Sequence, residues 1–575
     1  MLRREPRLSL LCCDVLNLPK LGAVLLLAGA AFAQTPPLVR ILAGELDRNF
    51  EVLKKKGDPA PYFISYEVTD IESGVATASG GALKALRTDR ARLLDVSVRT
   101  GSPQLDNYHQ IGRDYPRFAS GAPLPVEDSA AAISRAVWLE TDRVYRLASE
   151  RLIKVRASEQ VRAASADDSP DFSPAEAVTH FAAPPRFVFD ETRAAARVRK
   201  LSAALANGPG VIESSVTLTV QRQTESFVST EGARLQHGRG FARITAVARG
   251  KAADGTDIVL MRNFDAEDMA GLPDDAAVGS ALDSMAKDVN SLLRAPAADP
   301  YAGPAILSGG AAAVLFHEIF GHRIEGHRQK DDSDGQTFTR RVGSAILPEF
   351  LSVTFDPTMR RLGGTSLNGW YEYDDEGVKA RPVKVVENGV LKAFLMSRSP
   401  VRGFPQSNGH GRRSPGREPV ARQSNLIVES SKQVTEPELR RMLLDEVKRQ
   451  GKPYGLLFRD VTGGFTTTAR EGLQAFKVMP LVVYRVWADG RPDELIRGAD
   501  MVGTPLASFA KIMATSDRLE VFNGYCGAES GSIPVAAAAP ALLVSEIEIQ
   551  KKPHSTERPP LLGPPPVIPN AGGAL

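Results

Sequence analysis

Ala311-Ala312-Ala313-Val314-Leu315-Phe316-His317-Glu318-Ile319-Phe320-Gly321-His322 decides how this chain is read. The alanine-rich, apolar lead-in predicts a buried helix. That helix carries an imidazole, a carboxylate beside it and a second imidazole five positions on. Neutral nitrogen donors suit a zinc ion, and a neighbouring carboxylate suits the acceptor of a proton from water at the metal. The spacing departs from the common metalloprotease signature, whose two histidines lie four apart, about 40° around a helix. Five residues correspond to about 140°. Both rings reach one ion only where the helix widens, as in a π-bulge, or stops near Gly321. His317, His322 and His327 are three of the chain's eight histidines, with Glu325 between the last two. The competing reading is a surface or capped His-Glu pair, which a short motif commonly is.

The two ends of the chain read differently from its middle. Arg3, Arg4, Arg7 and Lys20 precede an apolar run from Leu21 to Ala33, and Ala31-Phe32-Ala33 before Gln34 fits a small-x-small cleavage site. Residues 1–33 are therefore expected to be an export signal, which places the mature chain in the periplasm or outside the cell. The run is short for a bilayer span, and a retained anchor is the alternative. Cys12 and Cys13 precede the apolar core, so cleavage removes both and leaves Cys526 alone. A single thiol forms no internal disulfide and calls for another reason, either packing or a metal bond. The formal charge of +3 falls to +1 without residues 1–33, which offers nothing to nucleic acid or to charged lipid. Residues 551–575 hold Pro559-Pro560 and Pro564-Pro565-Pro566 without apolar periodicity and read as a disordered tail.

Between the ends, 43% hydrophobic and 24% charged residues are the make-up of an ordinary globular protein, and the length asks for two domains. Helical periodicity is expected near 35–60 (Leu38, Ile41, Leu42, Leu46, Val52), over Ser129 to Ala164 (Ile133, Val137, Leu139, Val144, Leu147, Leu152) and over Glu191 to Leu205. Phe63 to Thr69 and Leu93 to Val98 alternate like antiparallel strands, and Val211 to Gln221, Glu225 to Ser229 and Arg243 to Arg249 follow. Beyond about residue 255, turns separate many short strands. Glu387-Asn388-Gly389 is a hairpin signal between Val383–Val386 and Val390–Met396. One helix is expected near Leu506 to Ala514. The expected fold is α+β: an N-terminal mixed domain over 34–250 and a β-rich C-terminal domain over 251–550. No phosphate-binding glycine loop with its lysine occurs.

Several stretches together resemble the TldD/PmbA family, once called modulators of DNA gyrase. Pro304 to Phe316 leads into His317-Glu318-x-x-x-His322 and Glu325-Gly326. Tyr373-Asp374-Asp375-Glu376-Gly377 and Glu387-Asn388-Gly389-Val390-Leu391 are similar to its DDEG and ENGVL blocks. Asn408-Gly409-His410-Gly411-Arg412-Arg413 resembles its NGxxRR stretch, and Ser229-Thr230-Glu231-Gly232 its NSEG turn. Cys526-Gly527 with Ser532-Ile533-Pro534-Val535 resembles the closing segment that carries the family's cysteine ligand. The likeness runs over roughly residues 40 to 550, with departures: export, His327 where Asp is usual, and Gly464 in place of an acid.

The resemblance implies a zinc metallopeptidase of unfolded or small peptides, with a catalytic C-terminal part and either homodimers or pairing with a homologous subunit. It implies His317, His322 and Cys526 as ligands, an open set of three that suits Zn²⁺ over Mg²⁺ or Ca²⁺. Glu318 is then the general base. Whether His327 or Glu325 touches metal stays open. Arg412 and Arg413 are candidates for holding a substrate carboxylate, against a solvated basic strip with Arg402, Arg417 and Arg422. His410 is a candidate for a supporting role, and Asp374 to Glu376 read as a turn or an intersubunit salt bridge. The alternatives to a peptidase are a non-catalytic zinc-binding partner of an active homologue and a zinc amidohydrolase on a non-peptide amide. The same water activation serves both hydrolases.

Overall fold

A computed structural model describes residues 35–112, 114–159, 167–331, 333–470, 476–503, 508–552, 557–560 and 562. The expected export signal, with Cys12 and Cys13, and most of the proline-rich tail lie outside the described residues. From Pro36 onward the described residues pack as one unit. Helix makes up 24% and strand 42%, in separate runs, so the fold is α+β with β predominant. Among the described residues no helix is long and apolar enough to cross a membrane.

The first sheet has eight strands. Its centre is the long hairpin Pro61–Ser79 and Ala82–Ser102, beside Glu213–Ser229 and Arg234–Lys251. The stretches expected as strands, Phe63 to Thr69 and Leu93 to Val98, pair at the buried open end of that hairpin, and its turn half is more exposed and polar than alternation alone would flag. Val211 to Gln221 and Glu225 to Ser229, expected as two strands, form one strand from Glu213 because both edges pair without interruption. The sheet continues past residue 250 through Asp257–Ala266.

Four helices cover this sheet. Pro37–Lys56 buries Leu38, Leu42 and Leu46, and Ala130–Glu159 buries Ile133, Val137, Val144 and Leu152, against the hairpin. Val52 and Leu139, expected on the same faces, are exposed. Six residues beyond Leu46 and two beyond Val137 are about 240° and 200° around their helices. Glu191–Ala206 and Asp275–Arg294 start where Asp190 and Asp274 accept the amides of Arg193 and Ala277, and they bury Val198, Leu282 and Met285.

The second sheet has twelve strands, from Tyr301–Leu307 to Gly531–Lys551. Tyr301–Leu307 runs parallel to Tyr454–Thr466 and antiparallel to Gly531–Lys551, and its chain passes straight into the helix Gly309–Ile319. That helix packs on those strands and on Ile512–Ala528, so it sits in the largest core. Of the helix expected near Leu506 to Ala514, residues 504–507 lie outside the described residues, Ser508 and Phe509 are helical, and from Ile512 the chain is strand because it pairs with Val544 and beyond. The hairpin at Asn388-Gly389 is present, with φ of 47° and 77°, the two-residue turn whose twist matches paired strands. Its second strand stops at Leu391.

Gly389 meets two demands at once, a positive φ and a backbone pressed on its neighbour, since a Cβ there would lie 2.4 Å from the Leu347 carbonyl oxygen. Gly389→Val is expected to destabilise the protein by about 2 kcal/mol or more in urea unfolding. A midpoint equal to the parent's would show that the turn tolerates a side chain.

Candidate metal centre

The alanines of the helix Gly309–Ile319 let it lie close on the sheet, and Ser308 caps it by accepting the Ala311 amide at 3.2 Å. The helix ends at Ile319, and Gly321–Ile324 continues as a 3₁₀ turn. This tighter winding resolves the five-residue spacing. The rings of His317 and His322 come to 5.2 Å between centroids, at 82° to each other. Gly321 permits the change because a Cβ there would fall 1.9 Å from Gln423 Oε1. The carbonyls left free at the helix end accept from side chains: Arg323 donates to Glu318 O at 3.2 Å and Ile319 O at 3.3 Å, and Gln423 to His317 O at 3.3 Å.

Cys526 arrives from the other end of the chain, on Ile512–Ala528, paired with Ile533 across the closing hairpin. One donor atom from each of His317, His322 and Cys526 lies within 4.8 Å of the others, and all three side chains are buried. Cys526 Sγ is 3.3 Å from His322 Nε2. Burial pushes the thiol up, but His322 and His317 outweigh it and hold Cys526 well below its usual range. Burial likewise opposes charge on His322, yet Cys526 and Glu325 draw it well above the ordinary imidazole value. An anionic sulfur among imidazoles is the donor chemistry of a zinc-type ion, and a cation bound there takes the place of the imidazole's extra proton. Three donors leave the fourth tetrahedral position open.

Glu318 is buried next to these donors. Burial pushes its carboxyl up, only partly offset by His317 and His322, so it is more basic than an exposed glutamate. Gly464 leaves it the room, since a Cβ at that position would come within 2.7 Å of Glu318 Cγ.

Glu325 and His327 stand apart from the donor cluster. Glu325, fully buried, faces His322 Nδ1 at 3.2 Å while Nε2 faces the sulfur. This is a carboxylate behind a ligand-type histidine, which fixes the ring and leaves Nε2 its lone pair. Burial would raise Glu325, but His322 and Arg328, helped by Arg422, take it down to about 2. Arg328 Nε donates to it at 2.8 Å, and Arg422 Nε stands 3.4 Å from its other oxygen. Arg422 also donates to Cys526 O at 2.7 Å, linking both halves of the cluster. His327 instead pairs with Glu529, which also accepts from Arg328. The sequence singled out Glu325 between the histidines without fixing its role. Arg422, read as part of a solvated basic strip, is instead completely buried, and Arg328 carried no signal.

Arg412 and Arg413 are committed to protein partners. Arg412 donates to Gln423 O at 2.6 Å and Pro534 O at 3.0 Å and lies over the Tyr371 ring. Arg413 pairs with Glu67 and, at 3.2 Å, with Asp95. His410 is buried against Asn408 and Ser424, and burial takes it down to about 3. Asp374 accepts the amides of Glu376, Val378 and Gly411, so the acidic stretch is a turn.

Residues 301–551 match the PmbA/TldA metallopeptidase C-terminal domain. A metalloprotease of Methanocaldococcus jannaschii is 28% identical over 231 residues, 40% of this chain and 47% of that one. A metalloprotease TldD homolog of Haemophilus influenzae is 26% identical over 250 residues, 43% and 48%. A zinc metalloprotease TldD homolog of Saccharolobus solfataricus is 24% identical over 254 residues, 44% and 52%. The chain spans about half the length of these curated relatives. Among solved structures, TldE from Thermococcus kodakarensis has the same fold, with a TM-score of 0.60 at 13% identity over 87% of this chain and 99% of that one. These findings support the PmbA/TldD family and agree with the α+β architecture.

Glu325→Gln keeps the shape of the side chain and removes its charge from behind His322. Zinc affinity in competition with a chromophoric chelator is expected to fall about 10- to 100-fold. An unchanged affinity would show that Glu325 does not support the histidine.

Proposed function

We propose that this chain is a zinc-dependent metallopeptidase that hydrolyses unfolded or small peptides, with His317, His322 and Cys526 as the ligands and Glu318 as the general base. The observation that carries the reading is the convergence of these three donors from opposite ends of the domain, within 4.8 Å, beside a buried carboxylate. The relatives named metalloproteases support the same reading.

Zinc in this cage would supply Lewis-acid polarisation of a carbonyl and acidify water at the open position. The chain's own residues do the rest. Glu318, made basic by burial, accepts the proton of the attacking water and passes it to the leaving nitrogen. Glu325 holds the His322 ring with Nε2 inward, and Arg422 holds the Cys526 carbonyl, so the two halves of the cage keep their distance. Export, with signal cleavage after Ala33, and assembly as a homodimer or with a homologous TldD/PmbA-type subunit belong to the same proposal.

Glu318→Gln retains size and loses basicity. The purified parent and the variant are each expected to carry about one zinc per chain by metal analysis, with the variant's peptide turnover reduced by at least about 100-fold. Near-normal hydrolysis would remove Glu318 as the base, and a parent without zinc would remove the mechanism. N-terminal sequencing of the exported protein is expected to begin at Gln34. An intact Met1 on cytosolic material would overturn the export reading.

A further inference from the structure

One wall of a cleft of about 800 Å³ is built from Ala528, the last residue of the strand that carries Cys526, from Glu529 in the turn that follows it, and from His327 beyond the second histidine. A volume of this size accommodates several residues of an extended peptide. Its acids are occupied. Asp167 accepts the amides of Ser169 and Arg402, and Asp171 faces His109 at 2.8 Å. Asp331 accepts from Tyr115 and Ser333, and Glu376 from the Arg398 amide at 2.6 Å. Glu418 accepts the amides of Phe118 and Ala119, at 2.6 and 2.7 Å, and Glu529 binds His327 and Arg328.

Two of the cleft's cations are occupied as well. Arg99 is paired with Asp106 at 2.6 Å, and Lys330 donates to the carbonyls of Ser169 and Pro170. Three are not. Arg117, Arg417 and Arg470 are exposed on the cleft, and among the described residues their guanidinium groups make no hydrogen bond or ion pair. They come from three separate segments, so the fold gathers them. The lining holds six acids against five Arg and Lys, so what sets these three guanidinium groups apart is that, among the described residues, they lack the protein partners the others have. Guanidinium pairs with carboxylate in a planar, two-bond geometry that ammonium lacks.

We propose that this cleft binds carboxylates of the peptide on which the neighbouring metal centre acts, so that Arg117, Arg417 and Arg470 select acidic peptides; the inference rests on the metallopeptidase reading. The cleft adjoins the centre through the strand Ile512–Ala528, where Ala528 is two residues from Cys526. A peptide anchored there by its acidic side chains therefore lies two strand residues, about 7 Å, from Cys526. The carboxylates come from Asp and Glu side chains or from a free C-terminus.

The test is fluorescence anisotropy with three labelled hexapeptides: an Asp/Glu-rich one with an amidated C-terminus, its Asn/Gln counterpart also amidated, and that counterpart with a free C-terminus. Each is titrated with the zinc-loaded parent, with the chelated parent and with the triple variant R117Q/R417Q/R470Q. The acidic peptide is expected to bind about tenfold more tightly than its amidated counterpart. The advantage is expected to shrink as salt rises and to vanish in the triple variant, whose thermal unfolding stays that of the parent. A comparable gain by the free-C-terminus peptide, lost in the same variant, supports the carboxylate site and assigns it to chain ends. Equal binding of the acidic and amidated neutral peptides overturns the proposal. So does an acid preference retained by the triple variant, or a single-stranded oligonucleotide that binds as tightly through the same arginines. Acid-selective binding without any hydrolysis sinks the metallopeptidase reading and leaves the cleft assignment standing. Hydrolysis with equal kcat/KM for acidic and neutral peptides does the reverse.

Discussion

The helix Gly309–Ile319 has to stop one residue after Glu318 if the rings of His317 and His322 are to turn toward the same sulfur, and much of the surrounding structure serves that stop. A regular helix would carry the second imidazole about 140° away from the first. The 3₁₀ turn corrects this, but it leaves carbonyls without amide partners in a buried place, where each unmet acceptor is costly. Arg323 and Gln423 meet them, and Gln423 in turn occupies the space that forbids a side chain at residue 321. Spacing, glycine and capping side chains are thus one constraint seen from three sides.

Charge then holds the arrangement. Arg422 and Glu325 are completely buried, and Arg328 nearly so. Together they link His322, Glu529 and the Cys526 carbonyl in one network. Losing one member of such a buried set leaves its partner uncompensated, at a cost of about 3–5 kcal/mol. The same device joins the two sheets. Arg413, from the second sheet's region, meets Glu67 and Asp95 of the first, and Arg398 donates to Ser173 O and Glu231 while lying 3.9 Å from the Phe172 ring centroid. Directional bonds of this kind fix a distance and an angle, as a ligand cage requires and apolar contact alone does not supply.

The electrostatics of the donors also show why a thiol serves here. On the metallopeptidase reading proposed above, a neutral group in place of Cys526 would leave the two imidazoles without an adjoining anion to offset a divalent charge. His322 and His317 hold the Cys526 thiol well below its usual range, and Glu325 stands a layer behind. Glu318 keeps a different environment, desolvated but without a direct cationic partner among its hydrogen bonds, and so remains basic. Two glutamates seven residues apart are in this way pushed in opposite directions, one toward holding a proton and one away from it.

Much of the architecture was legible from local pattern. The helices Pro37–Lys56, Ala130–Glu159 and Glu191–Ala206 follow from apolar spacing, the Asn388-Gly389 turn from its dipeptide, and the His-Glu-x-x-x-His segment from donor types at unusual intervals. These are properties of neighbouring residues, and neighbours in sequence carry them. Where tertiary pairing overrides local pattern, the expectation is corrected: Ile512 to Ala514 are strand because Gly531–Lys551 lies beside them, and Val52 and Leu139 face outward because the sheet meets only one side of each helix. The sequence by itself therefore determined the helices Pro37–Lys56, Ala130–Glu159 and Glu191–Ala206, the Asn388-Gly389 hairpin and the histidine donors of the candidate site, whereas the helices Asp275–Arg294 and Glu436–Arg449 were not read from it. Only the tertiary structure decided that the winding changes after Ile319, that Cys526 crosses more than two hundred residues to reach His322, and that Arg328 and Arg422 stand behind them. The physical reason is that each of these depends on contacts between distant segments, and such contacts leave no periodicity in the chain that makes them.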